Sequence, residues 1–269
     1  MSEVDGVWAF PFVLPRHAFS VRDAARAGDI WRAFQEVAVE GSSRSGWPPL
    51  RYRAEGVAFV VRTMTVEHGL EALYGEQLTG RTWVRRFRRE MFSTREVRLT
   101  SPRGVIAKGT QEWVHVSQEL VPTRARQDFI DAFQVVDIGD GGAELPKHDG
   151  SEGPEHIFRF EAWWTWMDPL DHANHPAYID WCDEGISRVM VRSGLAPVQL
   201  RPRAERVTYS RGVVAGEEVS LTTRRLGLTP ERDVVFAHEV RKDDILCARA
   251  TTVRTLASGD PETLAAAFA

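Results

Sequence analysis

One part of this chain repeats another. Arg44-Ser-Gly46 returns as Arg192-Ser-Gly194, a shift of 148 residues, and the same shift lays Glu36 on Glu184. Gly75-Glu76 is echoed by Gly216-Glu217, and Glu96-Val-Arg98 by Glu239-Val-Arg241. Each match is short, but their shared order is the mark of a tandem duplication. A duplicated chain must fold as two similar units, each burying its own core, and 269 residues suffice for that.

Hydrophobic periodicity gives both units the same order of elements. In the first, apolar residues at Ile30, Ala33, Phe34, Val37 and Ala38 predict a helix over Asp29–Ser45, stopped by Gly46 and Pro48-Pro49. Strands are predicted over Val57–Val66, Gln77–Val84, Phe92–Thr100 and Val105–Val116, with a turn at Thr100–Gly104. In the second, Phe158–Trp166 reads as a strand, and Pro176 opens a helix over Tyr178–Ser193 that ends at Gly194. Strands follow over Arg206–Val214, Glu218–Leu226, Val234–Arg241 and Ile245–Thr255. Glycines and acidic residues crowd positions 134–154, a composition that buries little and reads as a linker. The expected domains are therefore 1–133 and 155–269, joined by 134–154. The fold class is α+β, with a long helix wrapped by antiparallel sheet, twice.

Charge and cysteine content exclude several classes of function. A net charge of −4 and a pI near 6.1 give no overall basic field for nucleic acid or a membrane surface. Only two cysteines occur, Cys182 and Cys247, outside any metal-ligand spacing, which suggests a reduced, cytoplasmic setting. No apolar run approaches the roughly 18 residues of a membrane span, and no signal pattern opens the chain. No cofactor is called for.

The polar residues of interest gather in one segment, Asp168-Pro-Leu-Asp-His-Ala-Asn-His-Pro-Ala-Tyr178. Asp168, Asp171, His172, Asn174 and His175 stand where a helix begins. Asp and Asn can serve there as turn formers or caps. They can also do chemistry: a carboxylate acts as general base or nucleophile, and amides at a helix N-terminus can hold a developing oxyanion. A shift of 148 carries Asp168 to Ser20, His172 to Ala24 and Asn174 to Arg26, none of which can do the same work. One site per chain is expected, with the first unit kept for architecture or a binding pocket.

These residues resemble two groups of thioester hydrolases. Asp168-Pro169 followed by Pro176-Ala-Tyr178 is similar to the segment entering the central helix in thioesterases of the 4-hydroxybenzoyl-CoA type. The whole chain resembles the acyl-acyl-carrier-protein thioesterases of plants and bacteria. It shares Gln35-Glu-Val-Ala38, Thr82-Trp83, Trp113-Val114, and Asp168 followed by His172-Ala-Asn174-His175-Pro-Ala-Tyr178, with Trp181 and Glu184 in place. The resemblance implies a double hotdog fold and hydrolysis of an acyl-carrier-protein or coenzyme A thioester to a free acid, within lipid metabolism. It implies Asp168, His172, Asn174 and His175 as catalytic residues, with the His175 backbone amide as an oxyanion donor. Two positions depart from the family. Its Asn two places before the His is Leu170 here, and its Glu-Cys pair falls near Gly212-Val213. Asp168 must then carry the reaction without a cysteine. A hotdog hydratase or dehydratase, or a non-catalytic acyl-binding protein, is the alternative.

Other features have two readings each. Trp163, Trp164 and Trp166 line an acyl pocket or pack a core. Glu36 and Glu184, present in both helices, suggest a bond to backbone at a helix–sheet contact. Arg85-Arg-Phe-Arg-Arg89 reads as a charged, solvated edge strand, or else as a dock for phosphopantetheine or an acidic carrier. His172, His175 and Asp171 can ligate metals, but no further ligand is suggested. Two hotdogs in one chain can pair with each other, and a homodimer of such chains is compatible with the sequence.

Overall fold

The computed structural model describes residues 4–269. Contacts divide the chain into two compact units. One comprises the residues up to Phe19 together with Ile30–Ala143, and the other Ser20–Asp29 with Glu144–Ala269.

The first unit is a five-stranded antiparallel sheet against one helix. Its strands are β1 (Trp8–Phe12), β2 (Val57–His68), β3 (Leu78–Arg88), β4 (Phe92–Ser101) and β5 (Gly104–Ser117), in the order β1-β3-β4-β5-β2. The helix α1 (Ala27–Arg44) buries Ile30, Ala33, Phe34, Val37 and Ala38, the stripe its periodicity predicts. The sheet makes room for it with glycines. A Cβ on Gly80 would lie 2.5 Å from Val37 Cγ2, and one on Gly109 would lie 3.1 Å from the Phe34 ring. A short helix α2 (Pro49–Ala54) follows α1, and α3 (Gln127–Asp131) presses Phe129 into a cluster with Trp47, Val84 and Phe133.

The second unit repeats the plan. Strands β6 (Glu155–Glu161), β7 (Leu200–Tyr209), β8 (Glu218–Leu228), β9 (Val234–Lys242) and β10 (Ile245–Leu256) run in the order β7-β10-β9-β8-β6, again all antiparallel. Helix α4 (Ala177–Arg192) lies against β8, where Gly185 leaves no room for a Cβ beside Leu221. A C-terminal helix α5 (Pro261–Ala266) closes the core around Ile186, Met190, Phe236 and Phe268.

The duplication reaches below the level of elements. The helices end at Arg44 and Arg192, each followed by a left-handed glycine, Gly46 (φ +83°) and Gly194 (φ +74°). From the first strand to the helix end the shift is 148. Across the four following strands it is 141. The extra residues of three register breaks are Arg62 and Arg203, Arg85 and Leu226, and Ile106 and Cys247, each pair 141 apart. The seven residues of difference fall between helix and strand, where only the first unit has α2. In that register Glu96 matches Ala237, so the echo of Glu96-Val-Arg98 in Glu239-Val-Arg241 is two residues out and is no part of the repeat.

Three sequence expectations need correction. The strand expected over Phe158–Trp166 stops at Glu161, and Trp164–Trp166 form a turn of 3-10 helix. The strand expected over Arg206–Val214 lies at Leu200–Tyr209, because the amides of Ser210 and Arg211 turn onto the Cys247 carbonyl and lead the chain away. Glu36 and Glu184 do not reach a helix–sheet contact: both are exposed, and Glu184 pairs with Arg188 at 2.9 Å.

Residues 134–154 hold no helix or strand, but they are tied down. Arg98 bonds the Asp140 carboxylate (2.7 Å) and the Gly141 carbonyl (2.7 Å), and the Asp149 carboxylate accepts from the Leu228 amide (2.9 Å). Among the described residues no helix is long and apolar enough to cross a membrane.

Candidate active site

The segment Asp168–Tyr178 forms a compact loop leading into α4. The Asp168 amide donates to the His172 carbonyl (2.9 Å), and the Asp171 amide to the Asp168 carbonyl (3.0 Å). Asp171 turns the chain in the left-handed region (φ +59°), which Asp tolerates better than most residues. One Asp168 carboxylate oxygen accepts the Leu170 amide at 2.8 Å, so the residue does form a turn. The other oxygen lies 3.6 Å from His172 Nδ1. The side chains are 14% and 20% exposed, half-sheltered but reachable. Asp168 and His172 are therefore brought together.

Asn174 and His175 occupy the bend before the helix. The Asn174 amide donates to the Trp166 carbonyl (2.9 Å) and its own carbonyl accepts from Ala177 (2.8 Å). Its side-chain Oδ1 is buried without a hydrogen-bond partner. The His175 carbonyl accepts the Tyr209 hydroxyl (2.8 Å), which fixes this residue on the β7 side of the loop. The expectation of open amides along the loop needs trimming. Those of Ala173, Asn174, Ala177 and Ile179 are spent on carbonyls of Val213, Trp166, Asn174 and Pro176.

A second segment, absent from the expected site, braces the first. The Val213 carbonyl accepts the Ala173 amide at 2.7 Å, and the Val213 backbone also bonds the buried Tyr178 hydroxyl. Gly212 lies flat against His172: a Cβ there would stand 3.0 Å from His172 Cβ and 3.2 Å from Cγ. The resemblance drawn from the sequence lays its Glu-Cys pair near these two residues. The signal was present in the sequence as a glycine at a position expected to carry chemistry, but its meaning needed the contact.

The cysteines take no part. Both are buried, and burial pushes the Cys182 and Cys247 thiols up, away from the reactive thiolate. The tryptophans divide. Trp166 packs edge-on to Trp181 (5.4 Å) and Phe160 (5.8 Å) and stacks on Trp163 (5.1 Å). Trp163 and Trp164 stand exposed at 63% and 77%, so core packing fails for those two. In the basic run, Arg85 pairs with Glu96 (3.1 Å), Arg86 bonds Thr94 (3.2 Å) and Arg88 lies near Glu112 (3.7 Å).

No protein-family model matches the chain, and no curated protein matches it. Solved structures do. A provisionally assigned oleoyl thioesterase from Lactobacillus plantarum aligns with a TM-score of 0.78 at 17% identity, over 94% of this chain and 97% of that one. The 12:0-ACP thioesterase from Umbellularia californica aligns with a TM-score of 0.73 at 15% identity, over 93% and 94%. An acyl-ACP thioesterase from Bacteroides thetaiotaomicron follows with 0.72 at 14%, over 94% and 100%. The chain thus has the fold of these thioesterases along nearly its whole length: α+β, two hotdog units in tandem.

Proposed function

We propose that the chain is a thioester hydrolase that converts an acyl-carrier-protein or acyl-CoA thioester to a carboxylic acid, with Asp168 as the catalytic residue. The observation that carries this reading is the Asp168–His172 pair, half-sheltered in the loop that enters α4. The fold shared with three thioesterases supports it. So does the likeness of Asp168-Pro169 and Pro176-Ala-Tyr178 to the 4-hydroxybenzoyl-CoA type, and in this reading the first domain, 1–133, lacks the catalytic residues that the second, 155–269, carries.

In this reading Asp168 takes a proton from water as the oxygen attacks the thioester carbonyl. The carbon–sulfur bond then breaks, and the thiolate leaves and is protonated, giving a free thiol and an acid. One carboxylate oxygen is fixed by the Leu170 amide, and the other faces His172 at 3.6 Å, beyond hydrogen-bond range and so available to a proton. That suits a base acting on a bound water better than a nucleophile that must turn. His172 positions the carboxylate, Asn174 and His175 shape the bend, and the His175 amide is the oxyanion donor. The exposed pair Trp163 and Trp164, four to five residues before Asp168, offers apolar surface for the pantetheine arm common to both carriers.

The test is a panel of acyl-CoA and acyl-carrier thioesters, followed by thiol release. Turnover by the wild type, lost in Asp168→Ala, supports the proposal. Enoyl-to-hydroxyacyl conversion without thiol release points to a hydratase, and binding without turnover to an acyl-binding protein; either overturns it. A single turnover in ¹⁸O-water that leaves label in Asp168 identifies a nucleophile, whereas a base puts the label in the product alone.

A further inference from the structure

The two units treat one inward-facing strand position in opposite ways. Arg95 on β4 lies opposite Val84 and Gln111, and 141 residues on, Phe236 lies opposite Arg225 and Thr252. Phe236 sits in a closed apolar cluster with Met190 and Phe268, its ring 4.7 Å from that of Phe268. In the first unit a guanidinium stands at this position, 6% exposed, and beside it opens a cavity of about 320 Å³.

The surroundings of Arg95 are polar by the same substitution logic. Its guanidinium donates to the Ser42 hydroxyl (3.1 Å) and, at 3.4 Å, to the Thr82 hydroxyl. Ser42 is the counterpart of Met190, 148 residues on. Gly41 makes the space, since a Cβ there would fall 2.9 Å from an Arg95 nitrogen; its counterpart is Val189. Phe133 lies 5.7 Å from the guanidinium and, with Trp8, gives the cavity aromatic lining. Among the described residues no carboxylate forms an ion pair with Arg95. Tyr52 is no counter-ion, because burial pushes its hydroxyl up to about 12. Burial also lowers Arg95 itself to about 10. The rim carries Arg44, itself paired with Glu40, and Asp5, whose carboxylate is exposed.

A buried cation without an anion is costly, and a cavity that brings an anion to it relieves the cost. We propose that this cavity binds a small organic carboxylate, with its head on the Arg95 guanidinium and its apolar body against Trp8 and Phe133. A guanidinium fork suits a carboxylate, and the volume suits a small ligand. The aromatic lining favours an organic acid over an inorganic anion. The proposal stands apart from hydrolysis at Asp168, although an acid is also the product class proposed there.

The experiment is calorimetric titration of the full chain with octanoate, octanamide and inorganic phosphate. Octanoate is expected to bind saturably, at least tenfold more tightly than the isosteric neutral amide or phosphate. Asp168→Ala should bind it unchanged, which separates this site from the catalytic one. Arg95→Met should weaken octanoate at least tenfold while leaving octanamide unchanged. If Arg95→Met does not fold, Ser42→Met, which places the second unit's residue in the first, should block octanoate with thermal unfolding unaltered. Equal binding of octanoate and octanamide, equal or tighter binding of phosphate, or no loss in the folded variants would overturn the proposal. Under those outcomes Arg95 is a structural charge held by the C-terminal end of α1.

Discussion

The loop before α1 and the loop before α4 are the same loop with different chemistry. The Ser20 amide donates to the Ala24 carbonyl at 2.9 Å, as Asp168 does to His172. The Asp23 amide returns to Ser20 at 3.0 Å, as Asp171 does to Asp168, and both turn residues are left-handed, at φ +56° and +59°. Even the side-chain turn is copied, with the Arg22 amide 3.3 Å from Ser20 Oγ and the Leu170 amide 2.8 Å from the Asp168 carboxylate. A 3-10 turn precedes each, at Arg16–Ala18 and Trp164–Trp166. The backbone therefore does not need Asp168 or His172 in order to fold, because Ser and Ala serve the same geometry. What they add over the first loop is a carboxylate and an imidazole side by side.

The largest expected effect follows directly. Giving the second loop the first loop's residues, Asp168→Ser with His172→Ala, should leave the fold intact and reduce thioester turnover by about 10²–10⁴, the usual worth of a positioned base. Thiol release and circular dichroism read the two halves of that statement. Loss of folding along with activity would break the comparison, by showing that the pair is structural.

Next in size is a stability difference deeper in the units. Arg254 is fully buried and bonds Asp183 at 2.8 Å and Glu205 at 2.6 Å. The first unit has Trp113, Gln35 and Met64 at the corresponding places and needs no ion pair. Arg254→Met should cost about 3–5 kcal/mol in urea unfolding, since the fully buried Glu205 and the partly exposed Asp183 both lose their partner. Adding Asp183→Gln and Glu205→Met, the first unit's residues, should recover most of it. Failure to recover would show that the second unit has come to depend on the charge.

Smaller again is the brace on His172. Gly212→Ala places a methyl 3.0 Å from His172 Cβ, and a displaced imidazole should lower kcat about tenfold with KM little changed. The residue 141 positions earlier is Glu71, so the glycine is particular to the second unit. An unchanged kcat would mean that His172 does not need its present orientation.

Much of this was readable before any coordinates. Both long helices, the repeated order and the polar loop follow from periodicity and from the shift of 148. The chemically empty first loop followed from the same shift. What the sequence hid has physical causes. Leu200-Arg-Pro-Arg203 looks unlike a strand, yet its backbone pairs with β10 and Arg203 is absorbed in a bulge. The shift of 141 showed only in Gly75-Glu76 and Gly216-Glu217, because the seven extra residues where α2 lies break the register set by the helices. Arg95, Arg254 and His238 stand at inward positions of amphipathic strands. Periodicity assigns a residue to a face but says nothing of the hydroxyl or carboxylate that makes a buried charge tolerable there.

His238 gives the smallest effect and a clean one. Its counterpart in the first unit is Val97, 141 residues earlier. The imidazole is buried between the Thr223 and Thr252 hydroxyls, each at 2.9 Å. Burial, reinforced by the nearby Arg254 charge, pushes it down to about 3 from an ordinary value of 6.5. The folded state thus holds this histidine neutral, while the unfolded chain protonates it below pH 6.5. Its contribution to stability is intact above that pH and declines as pH falls from 6.5 toward 3, because unfolding takes up a proton. One such group lowers unfolding stability by about 1.4 kcal/mol per pH unit in that window. His115 and His156 are shifted the same way by burial and steepen the slope. Urea unfolding at pH 7 and at pH 5.5 measures it, above the range where most carboxylates titrate. His238→Val, the first unit's solution, should flatten the difference by about the share of one proton, while leaving two threonine hydroxyls unpaired and the protein less stable at pH 7. An undiminished slope in that variant would place the titration elsewhere and leave Val97 and His238 as equivalent packing.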